Sequence, residues 1–230
     1  MAASPPVPVV TIDGPSGSGK GTVSRELARH VGWHLLDSGA LYRLVALSGV
    51  RAGLRPDDVA AHTALARTMA VQFDDDGRGG ERIRLDGAEV TRELRSEAAG
   101  QGASRVAAWP PVRAALLERQ RAFAEPPGLV ADGRDMGTVV FPEAALKIYL
   151  TASAEERALR RYKQLKEKGS DANLAALSRE IAERDQRDST RAVAPLRPAP
   201  DARIVDSTGM SVAEVVDVVL SAGRAQGLWG

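Results

Sequence analysis

The sequence predicts an α/β protein, a three-layer sandwich with helices on both faces of a five-stranded parallel sheet. Short apolar runs alternate with longer helical stretches along most of the 230 residues. The apolar runs are brief and nearly continuous, which is typical of parallel strands that are buried on both faces. Two helix starts carry capping signals directly after such runs, as expected where a strand leads into a helix.

The expected elements can be placed along the chain. Strands are expected at residues 9–12, 34–37, 129–132, 146–150 and 203–206. Helices are expected at residues 20–31, 39–52, 112–124, 154–168, 174–187 and 212–224. Ser153 with Glu156, and Ser211 with Glu214, predict capping boxes at two of these helices.

A different pattern interrupts the alternation between residues 71 and 90. Apolar runs at 71–73 and 83–85 flank a segment rich in Asp and Gly, and Asp86-Gly87 then turns towards Val90. This arrangement predicts a small antiparallel sheet inserted in the α/β core. The aspartates at 74–76 suggest a calcium loop, but the alternating ligands and the glutamate of an EF-hand are missing, so no metal site is predicted there.

Composition and charge limit the class of protein. Apolar residues make up 43% of the chain and charged residues 27%, which is ordinary for a soluble globular protein. A net charge of +1 argues against a general nucleic-acid or membrane-surface binder. The absence of cysteine excludes disulfides, thiolate metal sites and cysteine nucleophiles. The first ten residues lack a signal-peptide pattern and no apolar run is long enough to span a membrane, so a cytoplasmic location is expected.

A glycine-rich phosphate-binding loop follows the first predicted strand. Its residues are Gly14, Pro15, Ser16, Gly17, Ser18, Gly19, Lys20, Gly21 and Thr22. The glycines let successive N–H groups point at one place, the following helix adds its positive end, and Lys20 supplies a full charge for the outer phosphates of a nucleotide. The generic P-loop has Ser or Thr directly after the lysine, whereas here Gly21 precedes Thr22. This ending resembles nucleoside monophosphate kinases rather than GTPases or ATPase motors.

Polar residues follow two of the other predicted strands, where a second ligand is expected beyond the carboxyl ends of the sheet. Residues 37–43 and 132–137 each combine glycine, arginine and the N–H groups of a helix start. Asp132 ends an apolar run, which is the position of a Walker-B acid that holds Mg²⁺ directly or through water. The alternative for Asp132 is a buried acid that caps the next helix.

One candidate face lies on the helix predicted at 174–187 and its continuation. Arg184, Asp188 and Arg191 are spaced i, i+4 and i+7, which places them on one helix face. Such a face is able to clasp a phosphate and sugar hydroxyls. A solvated face of alternating charges has the same pattern.

A second candidate face lies on the helix after Ser153. Arg157, Arg160 and Arg161 share one side of this helix. This side predicts a segment that closes over the transferring phosphoryl group and neutralises its charge. The alternative is an exposed basic helix that is balanced by Glu155 and Glu156.

Almost the whole chain resembles bacterial cytidylate kinase. The resemblance rests on the phosphate-binding loop and on residues 36–43, 103–107, 111–113, 131–142, 183–185 and 191–196. The string Asp-Gly-Arg-Asp-Met-Gly-Thr-Val-Val-Phe-Pro at 132–142 is far more specific than the loop. The match is loosest around residues 74–80. The resemblance implies a P-loop three-layer sandwich with a substrate-binding insertion, which contains the small antiparallel sheet, and a short lid.

The resemblance also implies a binding site for the acceptor nucleotide, CMP. The residues implied to contact the cytosine nucleotide are Ser38, Ser104, Arg113 and Asp135. Those implied to hold its phosphate are Arg43, Arg134 and Arg184, with Asp188 and Arg191 at the sugar and Gly133 in the same motif. A carboxylate such as that of Asp135 accepts naturally from the N4 amino group of cytosine, whereas uracil presents an oxygen there.

The reaction implied by the resemblance is the transfer of the γ-phosphoryl group of ATP, with Mg²⁺, to CMP or dCMP. The catalytic residues would be Lys20, Asp132, Arg134, Arg157 and Arg161, which act by positioning and charge neutralisation. The kinase core would comprise residues 7–47, 105–152 and 171–225, the insertion that binds the nucleoside monophosphate residues 48–104, and the lid residues 153–170. A monomer that acts on small-molecule nucleotides, with no nucleic-acid or membrane partner, is expected.

Two other functions compete with this one. A nucleotide-switch GTPase needs an Asn-Lys-x-Asp signature, but the one asparagine of the chain, Asn173, is followed by Leu174. Another small-molecule kinase with a P-loop, acting on AMP or shikimate, stays open from the residues alone.

Overall fold

A computed structural model describes residues 6–75, 81–167 and 171–230. The chain forms two compact units. Residues 1–37 and 120–230 make up the first, which we call the sheet unit, and residues 38–119 make up the second, which we call the insert unit. The residue ranges that the sequence predicts for core, insertion and lid stay predictions.

The elements are numbered in chain order. The strands are β1 Val9–Asp13, β2 His34–Asp37, β3 Val71–Asp75, β4 Glu81–Leu85, β5 Ala88–Glu89, β6 Leu129–Gly133, β7 Leu146–Thr151 and β8 Arg203–Asp206. The helices are α1 Lys20–Val31, α2 Ser38–Arg51, α3 Val59–Thr68, α4 Thr91–Leu94, α5 Glu97–Val106, α6 Pro110–Arg121, α7 Ala154–Glu167, α8 Leu174–Thr190 and α9 Val212–Ala225. A π-helical turn spans Met136–Val140.

The sheet unit contains the five-stranded parallel sheet that the sequence predicts. Its strand order is β2-β6-β1-β7-β8, and all four neighbouring pairs are parallel. In the central strand β1, Asp13 is in register with Gly133 of β6 and with Tyr149 of β7. The carboxyl ends of these three strands therefore lie side by side.

Apolar side chains from the strands and two helices form the core of the sheet unit. Ile12, Val130 and Leu150 project from β1, β6 and β7, and Leu27 and Val219 come from α1 and α9. Each has a relative exposure of 0%. Burying a side chain of this size contributes about 1.5–3 kcal/mol relative to leaving it in water. This core fixes the strands whose ends carry the candidate site.

The insert unit contains the small antiparallel sheet, in the order β3-β4-β5. Asp86 and Gly87 form the two-residue turn between β4 and β5, both with positive φ, as the Asp-Gly pair predicts. The Asp86 carboxylate also accepts a hydrogen bond of 3.0 Å from the Ala70 backbone N–H. Beside this sheet, α2 packs against α3 and α5.

Helix bounds differ from the predicted ones mainly at α6 and α8. Helix α6 begins at Pro110, two residues before the predicted start, because proline lacks an N–H and is tolerated in the first helical turn. It ends at Arg121 rather than at residue 124. Helix α8 continues to Thr190, three residues beyond its predicted end. The sequence reasoning did not identify α3, α4, α5 or the π-helical turn.

Both predicted caps are present, but they differ in form. At α9 the Glu214 N–H donates to the Ser211 hydroxyl, and the Glu214 carboxylate accepts from the Ser211 N–H, which is a complete capping box. At α7 the Glu156 N–H donates to the Ser153 hydroxyl at 3.1 Å, while the Glu156 carboxylate accepts from Arg160. The predicted capping box is therefore complete at α9, whereas at α7 only its Ser153 half is formed and the Glu156 carboxylate pairs with Arg160.

Some expectations concern residues that the structure does not describe. Residues 76–80, in the segment where the match to the family is loosest, and residues 168–170, at the end of the predicted lid, lie outside the described ranges. Within the described ranges, no helix combines the length and apolar character that crossing a membrane requires.

Removing the Ser211 cap tests the local basis of α9. Ser211→Ala is expected to lower the free energy of unfolding by about 1 kcal/mol, because an N–H group of the first helical turn loses its acceptor. Urea denaturation measures this change. Glu214→Gln is the matched control, since glutamine also returns the second bond of a capping box. An equal loss in both variants would contradict the assignment of the effect to the Ser211 hydroxyl.

Candidate active site

The phosphate-binding loop connects β1 to α1 in the sheet unit, and close packing determines its shape. A Cβ atom at Gly14 would lie 2.0 Å from the carbonyl oxygen of Leu150, so only glycine fits where the loop leaves the sheet. Gly17 and Gly19 have φ values of 79° and 90°, a left-handed conformation that glycine adopts without strain. These constraints produce a loop whose N–H groups are available to bind phosphate.

Two arginines of α7 hold the carbonyl oxygens of this loop. Arg157 Nη1 donates to the Ser16 oxygen at 3.0 Å, and Arg160 Nη1 donates to the Ser18 oxygen at 3.2 Å. Arg160 also donates to the Ser207 oxygen at 2.6 Å, and this connects α7, the loop and the segment after β8. The sequence reasoning placed Arg160 on this face but did not select it. Its i, i+3 spacing from Arg157 was the available signal.

Lys20 is buried at the start of α1. Its Nζ donates to the Pro15 carbonyl oxygen at 3.1 Å, and the residue is 8% exposed. Burial and the Arg134 guanidinium, against the opposite influence of the Asp132 carboxylate, together lower the pKa of Lys20 to about 7. A ligand with negative phosphates would restore the charge of this lysine.

The carboxylate of Asp132 lies against the loop at Gly21. A Cβ atom at Gly21 would come within 3.1 Å of Asp132 Oδ2, so a larger residue there would crowd the carboxylate. This explains in part why the P-loop position that usually carries Ser or Thr is glycine here. Among the described residues, no group of three His, Cys, Asp or Glu side chains is arranged to hold a metal ion. A cation at Asp132 would therefore take most of its ligands from phosphate and water, and a hard oxygen donor suits Mg²⁺.

Two ion pairs connect the turn after β6 to the end of α8. Arg134 Nε donates to Asp188 Oδ2 at 2.9 Å, and Arg191 Nη2 lies 3.5 Å from Asp135 Oδ1. Burial acts to raise the pKa of Asp188, but the guanidinium groups of Arg134 and Arg184 outweigh it, so the pKa lies below its usual range. The proposed phosphate, base and sugar contacts of this unit therefore form one charged cluster.

Two further carboxylates, those of Asp185 and Asp13, connect elements that surround the site. Arg157 Nη1 donates to Asp185 Oδ2 at 2.5 Å, so α7 and α8 are joined next to the loop. Asp13, at the end of β1, accepts from the backbone N–H groups of Met136 and Gly137. Sequence reasoning missed Asp13, although an acidic residue between a buried strand and a phosphate-binding loop is itself a signal.

Arg161, a predicted lid residue, lies partly exposed on α7.

Four predicted acceptor-binding residues belong to the insert unit. Ser38 is the first residue of α2 and Arg43 lies one turn later, while Ser104 lies on α5. Arg113 of α6 is 7% exposed, donates to the Ala107 carbonyl oxygen at 3.3 Å and lies 5.8 Å from the centre of the Tyr42 ring. Ser38 and Ser104 are also buried. Polar groups with so little exposure are held in fixed positions.

The chain is similar to known proteins over nearly its whole length. The family model described as "Cytidylate kinase" matches residues 10–224. A cytidylate kinase of Pseudomonas aeruginosa (strain LESB58) is 61% identical over 222 residues, which cover 96% of this chain and 97% of the relative. A cytidylate kinase of Aeromonas hydrophila subsp. hydrophila is 57% identical over 219 residues, covering 95% of each. The crystal structure of an uncharacterized protein from Eubacterium ventriosum shares the fold, with a TM-score of 0.54, 9% identity and coverage of 95% of this chain and 98% of its own.

The lowered pKa of Lys20 predicts proton uptake when ATP binds at pH 8. Ligand-free Lys20, with a pKa of about 7, is mostly neutral at this pH, and the phosphates of ATP favour its charged form. The uptake is expected to approach one proton per site at pH 8 and to fall towards zero at pH 6, where Lys20 is already charged. Titration calorimetry in buffers of different ionisation enthalpy measures it. Lys20→Gln is the control, and the same uptake in this variant would assign the proton to another group.

Proposed function

The chain belongs to the cytidylate kinase family, and from this premise we propose how its residues transfer the γ-phosphoryl group of ATP to CMP or dCMP, giving ADP and CDP or dCDP. One observation carries the proposal. In the sheet unit, Lys20 is buried at the start of α1, and the Asp132 Oδ2 lies 3.1 Å from where a Cβ of the next residue, Gly21, would be. Phosphoryl transfer needs this combination of fixed positive charge and a carboxylate at the nucleotide phosphates.

The donor ATP is proposed to bind at residues 14–22. The N–H groups of this loop and the start of α1 would receive its phosphates, and Lys20 would reach the outer ones. Arg157 and Arg160 support this role by engaging the carbonyl oxygens of Ser16 and Ser18, so that these oxygens do not face the anion.

The acceptor nucleotide is proposed to bind mainly to the turn after β6 and to the end of α8. Asp135 would accept from the N4 amino group of cytosine, while Arg134 and Arg184 would hold the phosphate of the acceptor. Asp188 and Arg191 would bind the sugar. The two ion pairs within this set support the proposal, because groups that are already fixed lose little freedom when a ligand binds.

Further acceptor contacts are proposed for residues of the insert unit and for the turn itself. These residues are Ser38, Arg43, Ser104, Arg113 and Gly133. Arginines and hydroxyl groups suit a phosphate and the polar edge of a base, and glycine allows close approach of the main chain.

Charge neutralisation at the transferred group is proposed for Arg157 and Arg161 of α7. Arg157 already donates to the Ser16 oxygen and to Asp185, so it is placed beside the loop before any ligand arrives. Asp132 is proposed to hold Mg²⁺, directly or through water. This ion would neutralise phosphate charge, while Lys20, Arg134 and the loop align the two nucleotides.

The proposal includes a cytoplasmic monomer with nucleotides as its ligands and no nucleic-acid partner. The net charge of +1 supports the last point, because proteins that bind nucleic acid in general carry a basic surface. Light scattering at working concentration tests the oligomeric state.

Lys20→Ala is expected to lower kcat by at least about 100-fold, by analogy with the loss of one charge-stabilising group. A coupled assay of ADP formation with saturating CMP measures this. The control is Lys163→Ala, which removes an exposed lysine from α7 and leaves kcat within about two-fold. Wild-type turnover in the Lys20 variant would refute the role of this lysine.

The acceptor site predicts a preference among four compounds assayed with ATP, namely CMP, UMP, AMP and shikimate. CMP is expected to have the highest kcat/KM, by at least about 10-fold over UMP, because uracil turns a carbonyl oxygen towards the Asp135 carboxylate. AMP ahead of CMP would overturn the base assignment, and nucleotide binding without transfer would favour a switch protein. Comparing CMP with dCMP in the same assay tests the sugar contact of Asp188 and Arg191.

A further inference from the structure

The Asp13 carboxylate caps a turn that is more than a hundred residues away along the chain. Its Oδ1 accepts from the Met136 N–H at 2.9 Å, and its Oδ2 accepts from the Gly137 N–H at 2.8 Å. These are the first two N–H groups of the π-helical turn. Asp13 is 5% exposed, so both bonds lie in the interior of the sheet unit.

The residue at the N-cap position of this turn is Asp135. An aspartate there ordinarily accepts, with its own carboxylate, from the N–H group of the second or third residue of its helix. Here the side chain of Asp135 makes no capping hydrogen bond, and its Oδ1 lies 3.5 Å from Arg191 Nη2. The carbonyl oxygen of Asp135 still accepts from the Val139 and Val140 N–H groups, so the turn is intact. Asp13 thus accepts from the Gly137 N–H, which the Asp135 side chain would otherwise be placed to cap, and from the Met136 N–H as well.

We propose that Asp13 is a positioning residue for acceptor recognition: by capping the turn from the neighbouring strand, it keeps the Asp135 carboxylate directed at the acceptor base. The inference rests on the proposed function, in which Asp135 accepts from the N4 amino group of cytosine. A carboxylate that caps the turn with both of its oxygens is held against that turn, so it is not free to turn towards a ligand.

The role requires the ionised form of Asp13, which burial disfavours. Burial raises the pKa of Asp13 to about 7, although the two N–H bonds act in the opposite direction. A carboxylate in this place is therefore unfavourable by itself. Only an ionised carboxylate offers an acceptor oxygen to each of the two N–H groups, since the side chain of asparagine would present an NH₂ group to one of them.

Asp13→Asn tests the proposal. The variant is expected to lower the kcat/KM ratio of CMP over UMP by about 10-fold, because the Asp135 carboxylate turns back to cap its own helix. The KM for ATP is expected to stay within about two-fold of the wild type. A merely structural role would lower kcat/KM for both acceptors in parallel and leave their ratio unchanged.

Thr11→Val is the matched control. Thr11 lies two residues earlier on the same strand, is 0% exposed, and its Oγ1 is 2.8 Å from the place where a Cβ of Gly137 would be. Its hydroxyl has no hydrogen-bond partner in the part of the chain that the structure describes. Valine preserves the shape of the side chain, so the CMP-to-UMP ratio is expected to stay at the wild-type value. A change as large as that of Asp13→Asn would overturn the proposal in favour of packing.

Hydrogen exchange supplies a readout that is independent of activity. The Met136 and Gly137 amides are expected to exchange slowly in Asp135→Asn, because Asp13 and not Asp135 holds them. The measurement on Asp135→Asn is informative even if Asp13→Asn does not fold. Fast exchange of both amides in Asp135→Asn would overturn the proposal.

The failures of the two proposals are distinguishable. A wild type that prefers CMP, together with an Asp13→Asn variant that keeps this preference, would refute the inference alone. A wild type that does not distinguish CMP from UMP would refute the base contact of Asp135, and with it the role of Asp13 in recognition.

Discussion

Charge compensation at the carboxyl end of the parallel sheet is the constraint on which the rest of the sheet unit depends. Asp13, Lys20, Arg134 and Asp188 are all nearly buried there, and a buried charge without partners costs several kcal/mol. Each has a specific partner: Asp13 has two backbone N–H groups, Lys20 has a loop carbonyl, and Arg134 and Asp188 have each other. Removing one member of such a set leaves another uncompensated, so these side chains behave as a unit.

The same compensation leaves the site ready for an anion. Lys20 has a pKa of about 7 because burial and the neighbouring Arg134 both disfavour its charged form. A phosphate that binds beside these groups adds the negative charge that they lack. Their attraction for it therefore acts at the place where charge develops during phosphoryl transfer. The ion pairs with Asp188 and Asp135 keep Arg134 and Arg191 in place meanwhile, which reduces the reorganisation that the reaction requires.

The sequence was sufficient for the features that depend on local patterns, and insufficient for those that depend on distant partners. The strands and the phosphate-binding loop follow from apolar runs and glycine spacing, which are visible over about ten residues. The bonds from Asp13 to Met136 cross more than a hundred residues, and no local pattern encodes them. Arg160 is similar, because its spacing shows a helix face but not that the Ser18 and Ser207 carbonyl oxygens lie opposite it.

The carboxyl end of β1 is connected both to the phosphate-binding loop and to the turn after β6. Asp13 holds the turn that is proposed to bind the acceptor, and the next residue, Gly14, begins the loop that is proposed to hold the donor. Because Asp13 is hydrogen-bonded in register with β6 and β7, the distance from the loop to the turn is set by a sheet rather than by a hinge. Strands of a buried sheet are among the last parts of a protein to open. Phosphoryl transfer tolerates only small errors of position, and a rigid link between donor loop and acceptor turn within one unit meets that demand.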